Sequence, residues 1–394
     1  MKTGAIICEY NPLHNGHIYH IQETKKAGIT HLAAVLSDDF VQRGDTALLN
    51  KFDRAELAVR AGADLVIEIP VPYSCASAEL YALGAVQILH DLNIIEILSF
   101  GCSGNLHLLE SLVAEMPSLA DSPRMQTFLK AGFSYPSAMY RTLSEKLPPE
   151  VSGLLTDPNN LLALEYLKAM QYLKVNFHPF AVQRTSVAHD SAQPSGIFAS
   201  ASLIRNRFRN HEDYESYLPE ETAQMLSERR NQGRTADFSR LESVILYRIR
   251  MMSETDLLSL PDMNSNLASS FRKAQNACSL EEFLASVKSK CFTMARIRRI
   301  LIYALLGIRK EDFRQKIPYA RVLAFNRRGT ELLKLCKSRS RIPVHTSLAE
   351  LRTASVGAQR FAELEANTAH LYGLALNEIT SAEMEFRRKI QLIE

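Results

Sequence analysis

The sequence predicts an α/β protein in which an open, doubly wound parallel sheet is followed by a mostly α-helical domain. Short apolar runs alternate with helical periodicity over the first hundred residues, which is the pattern of βαβ units. The runs are nearly continuously apolar, as expected when helices cover both faces of a sheet. From about Asp213 onward only helical periodicity is found. Because 394 residues exceed the usual size of a single core, we place the domains at 1–210 and 211–394.

The predicted strands are short and rich in β-branched and aliphatic residues. They are expected at 3–8, 30–37, 63–70, 94–100 and 175–183. The helices between them are expected at 16–27, 51–61, 77–92 and 160–173, with a further helix from near Ser200. In the second domain, apolar residues at i, i+3, i+4 and i+7, such as those starting at Ile297, indicate further helices.

Composition narrows the class of protein. The six cysteines are scattered without a CxxC pair, which favours reduced thiols over a disulfide framework. The N-terminal apolar run meets Glu9 too early for a secretory signal, and no apolar stretch has membrane-spanning length. We therefore expect a cytoplasmic protein that has neither a membrane nor DNA as a partner.

The stretch His14-Asn15-Gly16-His17 lies where the first strand leads into the first helix. In an open parallel sheet this loop is at the carboxyl edge, where ligands bind. The unpaired N–H groups and the dipole of a helix start favour an anion, and Gly16 lets a phosphate approach them. Two imidazoles beside such a phosphate suit displacement at an α-phosphate with pyrophosphate as the leaving group.

Other interpretations of the two histidines stay open from the pattern alone. They would be metal ligands if partners stood at ligand spacing, but there is no HExxH and no nearby Cys or acidic partner. They would be loop residues without a role if their place after a strand were chance. The sequence contains neither GxxxxGK[ST] nor GxGxxG, which argues against a P-loop and a dinucleotide fold.

Seven segments occur in an order that resembles one known family. The H-x-G-H stretch is similar to the signature of the HIGH-type nucleotidyltransferase superfamily, which shares its fold with class I aminoacyl-tRNA synthetases. Within that superfamily the chain resembles the bacterial tRNA(Met) cytidine acetate ligases. The segments are CEYNPLHNGH (8–17), FVQRGD (40–45), GADLVIEIPV (62–71), SFG (99–101), GFSYPSA (132–138), DPNNLLALEYLKA (157–169) and SASLIRN (200–206).

The resemblance implies an ATP-dependent ligase that works in two steps. Acetate attacks the α-phosphate of ATP to give acetyl-adenylate, and the N4 amine of the wobble cytidine, C34, of elongator tRNA(Met) then takes the acetyl group. The product is N4-acetylcytidine. The resemblance further implies ATP with Mg²⁺, no use of acetyl-CoA and no assigned metal ligand in the protein.

The resemblance also implies a set of site residues. His14, His17 and Arg205 are the implied catalytic residues. Simpler interpretations remain for four others: Gly101 as a strand-ending turn, Asn160 and Ser200 as helix caps, and Arg184 as a surface arginine. The implied ATP-binding residues are Ile7, Cys8, Glu9, Tyr10, Asn11, Pro12, Leu13, His14, Asn15, Gly16, His17, Ile18, Tyr19, His20, Gly101, Asn160, Arg184, Thr185 and Ser200.

Two segments depart from the family pattern. Asp38 and Asp39 stand where a glycine and an asparagine are expected before Phe40, so the loop after the second strand differs. Arg184 is followed by Thr185 rather than by a tyrosine-rich turn. Both departures concern the substrate side more than the ATP site.

The segment 288–345 is strongly basic. It holds sixteen Lys and Arg against three acidic residues, although the whole chain carries a net charge of only +3. Such an excess is expected where a polyanion binds, and it predicts a tRNA-binding second domain. A solvated helix face is the simpler alternative. Neutralising Arg298 and Arg299 is expected to weaken RNA binding.

Two other functions remain as rivals. An enzyme of the same chemistry, such as an adenylyltransferase or a citrate lyase ligase, would act on a small molecule and would not need the basic segment. An RNA-binding protein whose nucleotide site is only structural would survive His17→Ala without loss of function.

Overall fold

The computed structural model describes residues 1–131, 133, 135–148, 155, 157–183, 194–381, 384–390 and 392–394. Its centre is a seven-stranded sheet of order β7-β6-β1-β2-β5-β8-β9, and a separate hairpin is formed by β3 and β4. The strands are β1 Thr3–Cys8, β2 His31–Ser37, β3 Phe40–Val41, β4 Asp45–Thr46, β5 Leu65–Ile69, β6 Ile97–Cys102, β7 His178–Gln183, β8 Ala320–Phe325 and β9 Val344–His345.

Helices surround the sheet and form most of the second half of the chain. None of them, in the described part, combines the length and apolarity needed to cross a bilayer. The helices are α1 Asn15–Lys26, α2 Lys51–Arg60, α3 Val71–Ser74, α4 Ala78–Leu92, α5 Leu106–Leu119, α6 Pro123–Lys130, α7 Tyr135–Ser144, α8 Pro158–Leu173, α9 Ala201–Arg209, α10 Glu220–Asn231, α11 Glu242–Met251, α12 Glu254–Ser259, α13 Ser265–Ala274, α14 Leu280–Val287, α15 Met294–Leu306, α16 Arg327–Arg339, α17 Leu348–Leu351, α18 Val356–Leu374 and α19 Met384–Arg387.

The five predicted strands are confirmed as β1, β2, β5, β6 and β7, which run parallel to one another. Their apolar character follows from helices on both faces. All seven residues of β2 are buried; Ala33 and Val35 face the core under α4, whereas Ala34 and Leu36 face the core under α1 and α2. The doubly wound α/β fold is confirmed.

The expectation of no strand after Asp213 is wrong. β8 pairs antiparallel with β5, and β9 pairs parallel with β8, so residues 211–394 complete the edge of the sheet. β8 was not predicted because it is a six-residue run, ARVLAF, with an arginine near its start. A short apolar run among helices does not distinguish strand from helix by periodicity.

A buried cluster of charges ties the C-terminal part to the sheet. The Nζ atom of Lys51, on α2, lies 3.0 Å from Asp38, 3.4 Å from Glu365 and 2.8 Å from Glu385, and it also pairs with Glu68. All five side chains are almost completely buried. Asp38, the departure noted above, is thus accounted for as a partner of Lys51, although its Oδ2 accepts no hydrogen bond from the described residues.

Arg321, on β8, is the second cation of this cluster. Its Nη1 pairs with Glu385 and lies 3.5 Å from Glu68. Burial opposes ionisation of Glu385, but Arg321 and Lys51 outweigh burial and lower its pKa to about 2. Burial raises the pKa of Glu365 well above its usual value, and the nearby Asp38 carboxylate adds to the rise. Two cations thus face four carboxylates, an imbalance that favours the protonated form of Glu365.

Candidate active site

A cavity of about 290 Å³ lies at the carboxyl edge of the parallel strands, where β1 and β6 end. Its walls come from the β1–α1 loop, the β3–β4 hairpin, the starts of α8 and α9, and parts of α4, β6 and β7. An open α/β sheet binds ligands at this edge. The cavity is therefore the place where the sequence predicts the nucleotide.

The two histidines of HNGH form the start of α1. His14 is the N-cap, and its Nδ1 accepts a hydrogen bond from Gly16 N at 3.1 Å. His17 is the third residue of the helix, and its Nδ1 accepts from His14 N at 3.2 Å. The two imidazoles stack with centroids 3.7 Å apart. This is a capping box built from histidines, in which each ring is held at its Nδ1.

This capping selects the tautomer of the two rings in their neutral form. A neutral imidazole whose Nδ1 accepts a hydrogen bond carries its proton on Nε2. Both His14 and His17 are therefore Nε2–H donors, and protonating Nδ1 would break the helix cap. A Cβ at position 16 would lie 3.0 Å from Cε1 of His14, so any other residue there would displace the His14 ring by a few tenths of an ångström.

Arg205 brings a cation into the same cavity from α9. Its Nη1 donates to the carbonyl oxygen of Asn11 at 2.7 Å, which fixes the guanidinium against the β1–α1 loop. Burial lowers the pKa of Arg205, while Asp45 and Glu9 act in the opposite direction. An arginine remains charged in spite of such a shift, so it brings a fixed positive charge to the cavity.

The structure brings most of the predicted ATP-binding residues together. Five described ones lie elsewhere: Leu13 and Ile18 pack in the apolar core, Asn15 donates to Ile197 O, Asn160 accepts from Ser103 N, and Pro12 does not line the cavity. Arg184 and Thr185 lie outside the described residues. The predicted residues lining the cavity are Ile7, Cys8, Glu9, Tyr10, Asn11, His14, Gly16, His17, Tyr19, His20, Gly101, Ser200 and Arg205.

The simpler interpretations explain part of the geometry. Ser200 is the N-cap of α9, and its Oγ accepts from Leu203 N at 3.2 Å. Asn160 is not the cap of α8, because Asp157 holds that position. Gly101 does not end its strand, since β6 continues to Cys102.

The match to a protein-family model decides the family. Residues 1–387 match the model described as HIGH Nucleotidyl Transferase. Two curated relatives are named tRNA(Met) cytidine acetate ligase: one from Alkaliphilus metalliredigens is 34% identical over 95% of both chains, and one from Clostridium tetani is 33% identical over 99% of both. The chain belongs to the tRNA(Met) cytidine acetate ligase family.

Solved structures of this ligase family share the whole fold. The apo structure of Thermotoga maritima TmcAL superposes with a TM-score of 0.93 at 25% identity and covers 100% of both chains. A second structure of the same protein, bound with alpha-thio ATP, gives a TM-score of 0.86 at 27% identity and covers 99% of this chain and 97% of that one. The family and the fold predicted from the sequence are confirmed.

Sequence reasoning missed several lining residues of this ligase-family site. Gln42 and Arg43 reach it from the β3–β4 hairpin, and their motif, FVQRGD, is a signal to which no role was assigned. The other wall is aromatic: Tyr81, Phe100 and Tyr166 line it, and the last two rings lie 5.9 Å apart. These aromatics follow the core periodicity of their elements, so the sequence offers no signal that separates them from core residues.

The β3–β4 hairpin is held against α15 by Arg298 and Arg299. Arg299 is buried; it donates to Gln42 O at 3.3 Å and to Asp262 at 3.0 Å. Arg298 lies 3.6 Å from Asp45 and over the Phe238 ring. Arg299 is thus held by the protein, whereas the Arg298 side chain is 31% exposed beside Asp45. That these two arginines contact RNA stays a prediction. A charge count along the sequence does not say which way a side chain points.

Gly44 permits the close approach of the hairpin to α15. Replacing Gly44 by Ala should destabilise the protein. A Cβ at Gly44 would lie 2.6 Å from both Arg298 Cβ and Arg299 N, and its φ is +69°. Gly307 has the same φ with nothing within 4 Å, so Gly307→Ala isolates the backbone term of about 1–2 kcal/mol. We expect Gly44→Ala to cost about 1–3 kcal/mol more in urea unfolding. Equal losses would show that the close approach is unimportant.

Five of the exposed cations of the basic segment lie on one helix, α16. Arg299 and Arg321 are each buried, and Arg296 and Lys310 donate to backbone carbonyls. These four side chains therefore stabilise the fold. On α16 the single acid, Glu331, pairs with His31 of β2. The exposed cations of α16 are Arg327, Arg328, Lys334, Lys337 and Arg339.

Proposed function

We propose that this chain activates acetate with ATP and transfers the acetyl group to N4 of the wobble cytidine, C34, of elongator tRNA(Met). The stacked histidine pair carries the proposal, because it caps a helix at the carboxyl edge of the sheet and shares its cavity with Arg205. The family supports the substrates, since the relatives are named tRNA(Met) cytidine acetate ligases and one solved neighbour holds alpha-thio ATP.

The first step is displacement at the α-phosphate of ATP. A carboxylate oxygen of acetate forms the new bond to phosphorus, and the bond to pyrophosphate breaks. Charge develops on the phosphate oxygens, and the Nε2–H groups of His14 and His17 are held to donate to them. Arg205 offers a planar fork of donors for the leaving pyrophosphate. These residues, with the cavity residues named above other than the side chain of Glu9, are the proposed ATP site.

Mg²⁺ is proposed to arrive with ATP as part of the substrate. The described residues that line the cavity include one carboxylate, Glu9, which is too few for a metal site built by the protein alone. Mg²⁺ commonly keeps several waters and is bound through substrate phosphates with one or two carboxylates. The acyl donor is proposed to be free acetate rather than acetyl-CoA, in keeping with the name of the family.

The tRNA is proposed to lie on the basic helical part, which we assign to 211–394, with 1–210 carrying the chemistry. The exposed cations of α16 supply the positive surface that a sugar–phosphate backbone needs. We propose a cytoplasmic location for the reaction, because its substrate is a tRNA. The rival with the same chemistry on a small molecule has no use for this surface.

The test is an assay with labelled acetate, ATP, Mg²⁺ and bulk tRNA. Label is expected to enter tRNA, and mass spectrometry of the digested RNA should find N4-acetylcytidine at C34 of elongator tRNA(Met). Acetate-dependent AMP formation without labelled RNA would support a small-molecule ligase. Binding of tRNA without either product would support the RNA-binding alternative.

The same assay tests the RNA surface. Replacing Arg327, Arg328, Lys334 and Lys337 by Gln should raise the KM for tRNA by roughly tenfold and make binding less dependent on salt, since each lost phosphate contact removes about 0.7–0.9 from the salt slope. Acetate-dependent exchange of pyrophosphate into ATP should not change. Lys26→Gln with Lys130→Gln is the control for general charge, and an equal effect there would argue against α16.

A further inference from the structure

Glu9 is a carboxylate in a cavity that otherwise suits anions. The cavity presents two arginines, Arg43 and Arg205, together with the stacked histidines, and among its described lining residues Glu9 is the single acid. Both ATP and acetate are negatively charged. A carboxylate beside them opposes their binding, so its presence calls for a positive or hydrogen-bond-donating ligand.

The structure holds Glu9 from two sides. It follows β1 directly, and its carbonyl oxygen accepts from Nη1 of the buried Arg54 at 2.7 Å. Its Oε1 accepts from the backbone N–H of Gln42, on the β3–β4 hairpin, at 3.0 Å. Its Oε2 accepts no hydrogen bond from the described residues. The side chain is therefore positioned at the cavity wall, with one carboxylate oxygen that accepts no hydrogen bond from the described residues.

We propose that Glu9 is the general base of the acetyl-transfer step, an inference that rests on the function proposed above. A carboxylate is the side chain that accepts from the N4 amine of cytosine. The amine of the incoming cytidine therefore donates to Oε2 when it enters the cavity. This contact aims the nitrogen at the acetyl-adenylate formed on the same loop.

The transfer step balances with Glu9 as the proton acceptor. The N4 nitrogen forms a bond to the carbonyl carbon of acetyl-adenylate, and the bond between that carbon and the phosphate oxygen breaks with its electron pair on AMP. The amine proton passes to Oε2 of Glu9. Release of the proton to solvent after product departure restores the carboxylate.

Glu9→Gln separates this role from the alternatives. Glutamine keeps an oxygen that accepts from Gln42 N, so the hairpin contact survives while the base is lost. The first readout is acetate-dependent exchange of labelled pyrophosphate into ATP, which reports adenylation alone. The second is single-turnover transfer to tRNA from chemically prepared acetyl-adenylate, which reports transfer alone.

We expect exchange by Glu9→Gln to stay within about threefold of the wild type, while transfer falls by about 10²–10⁴-fold. The control Glu23→Gln, a carboxylate on α1 outside the lining of the cavity, should leave both unchanged. Equal loss of both reactions would make Glu9 part of the ATP–Mg²⁺ site and overturn the proposal, as would full retention of both. A wild-type protein inactive in both assays would overturn the proposed function, and this role with it.

Discussion

Replacing His14 by Asn, or His17 by Gln, should reduce acetate-dependent adenylate formation by about 10²–10³-fold each while the protein stays folded. The substitutions are chosen for the capping box. Asn is among the best N-cap residues, and Gln at the third helical position accepts from the N-cap N–H as His17 does. Each variant therefore keeps its backbone hydrogen bond and loses only the imidazole Nε2–H that is proposed to donate to the phosphates.

Pyrophosphate exchange and filter binding of tRNA measure the two halves of this prediction. Exchange should collapse, and tRNA affinity should stay within about twofold, because the exposed cations of α16 are untouched. His107→Gln is the control, since that side chain is 95% exposed and remote from the cavity lining. If either variant kept exchange within tenfold of the wild type, that histidine would serve the helix start and not the reaction.

Lys51→Met should produce the largest loss of stability, about 3–5 kcal/mol in the free energy of unfolding. The ammonium lies among four buried carboxylates, and removing it leaves their charges uncompensated in a medium of low polarity. Methionine keeps most of the side-chain volume, so a cavity contributes little. The exposed Lys26, paired with Glu23, gives the matched control, and Lys26→Met should cost under about 1 kcal/mol.

The loss should grow as pH rises. Glu365 has a raised pKa in the folded protein, so it holds a proton at a pH where the unfolded chain has released it. Its contribution to stability is therefore largest below the unfolded pKa and decreases as pH rises. Without Lys51 the carboxylates resist ionisation further. Urea unfolding at pH 5 and pH 8 should show the larger deficit at pH 8, and a smaller deficit there would contradict the assignment of the cluster.

The sequence predicts those parts of the fold in which the hydrophobic pattern of a segment matches the burial of that segment in the folded protein. The parallel strands are apolar because both faces are covered, so their runs are visible in the sequence. β3 and β4 have two residues each, which is too few to show the alternation of a strand. The six apolar-rich residues of β8 resemble a short piece of a buried helix. Its place beside β5 is a contact between distant parts of the chain, which no local pattern records.

The site divides in the same way. The position of HNGH after the first strand predicts an anion site at a helix start, and the cavity lies there. That the rings cap their own helix and stack is a matter of side-chain geometry, which spacing alone leaves open. The density of arginines predicts a basic surface, but a count of charges does not show which side chains pair with the protein. Arg298 and Arg299 do so, with Asp45 and with the carbonyl oxygen of Gln42.

The place of β8 in the sheet also bears on how the chain is made. β5 is synthesised some 250 residues before its neighbour, so during translation its edge waits with unpaired N–H and C=O groups. Lys51 likewise lacks two of its ion-pair partners until Glu365 and Glu385 have been synthesised. The sheet and the charge cluster around Lys51 are therefore completed only after β8, Glu365 and Glu385 have been synthesised. Until then the unpaired edge of β5 exposes the nascent chain to aggregation.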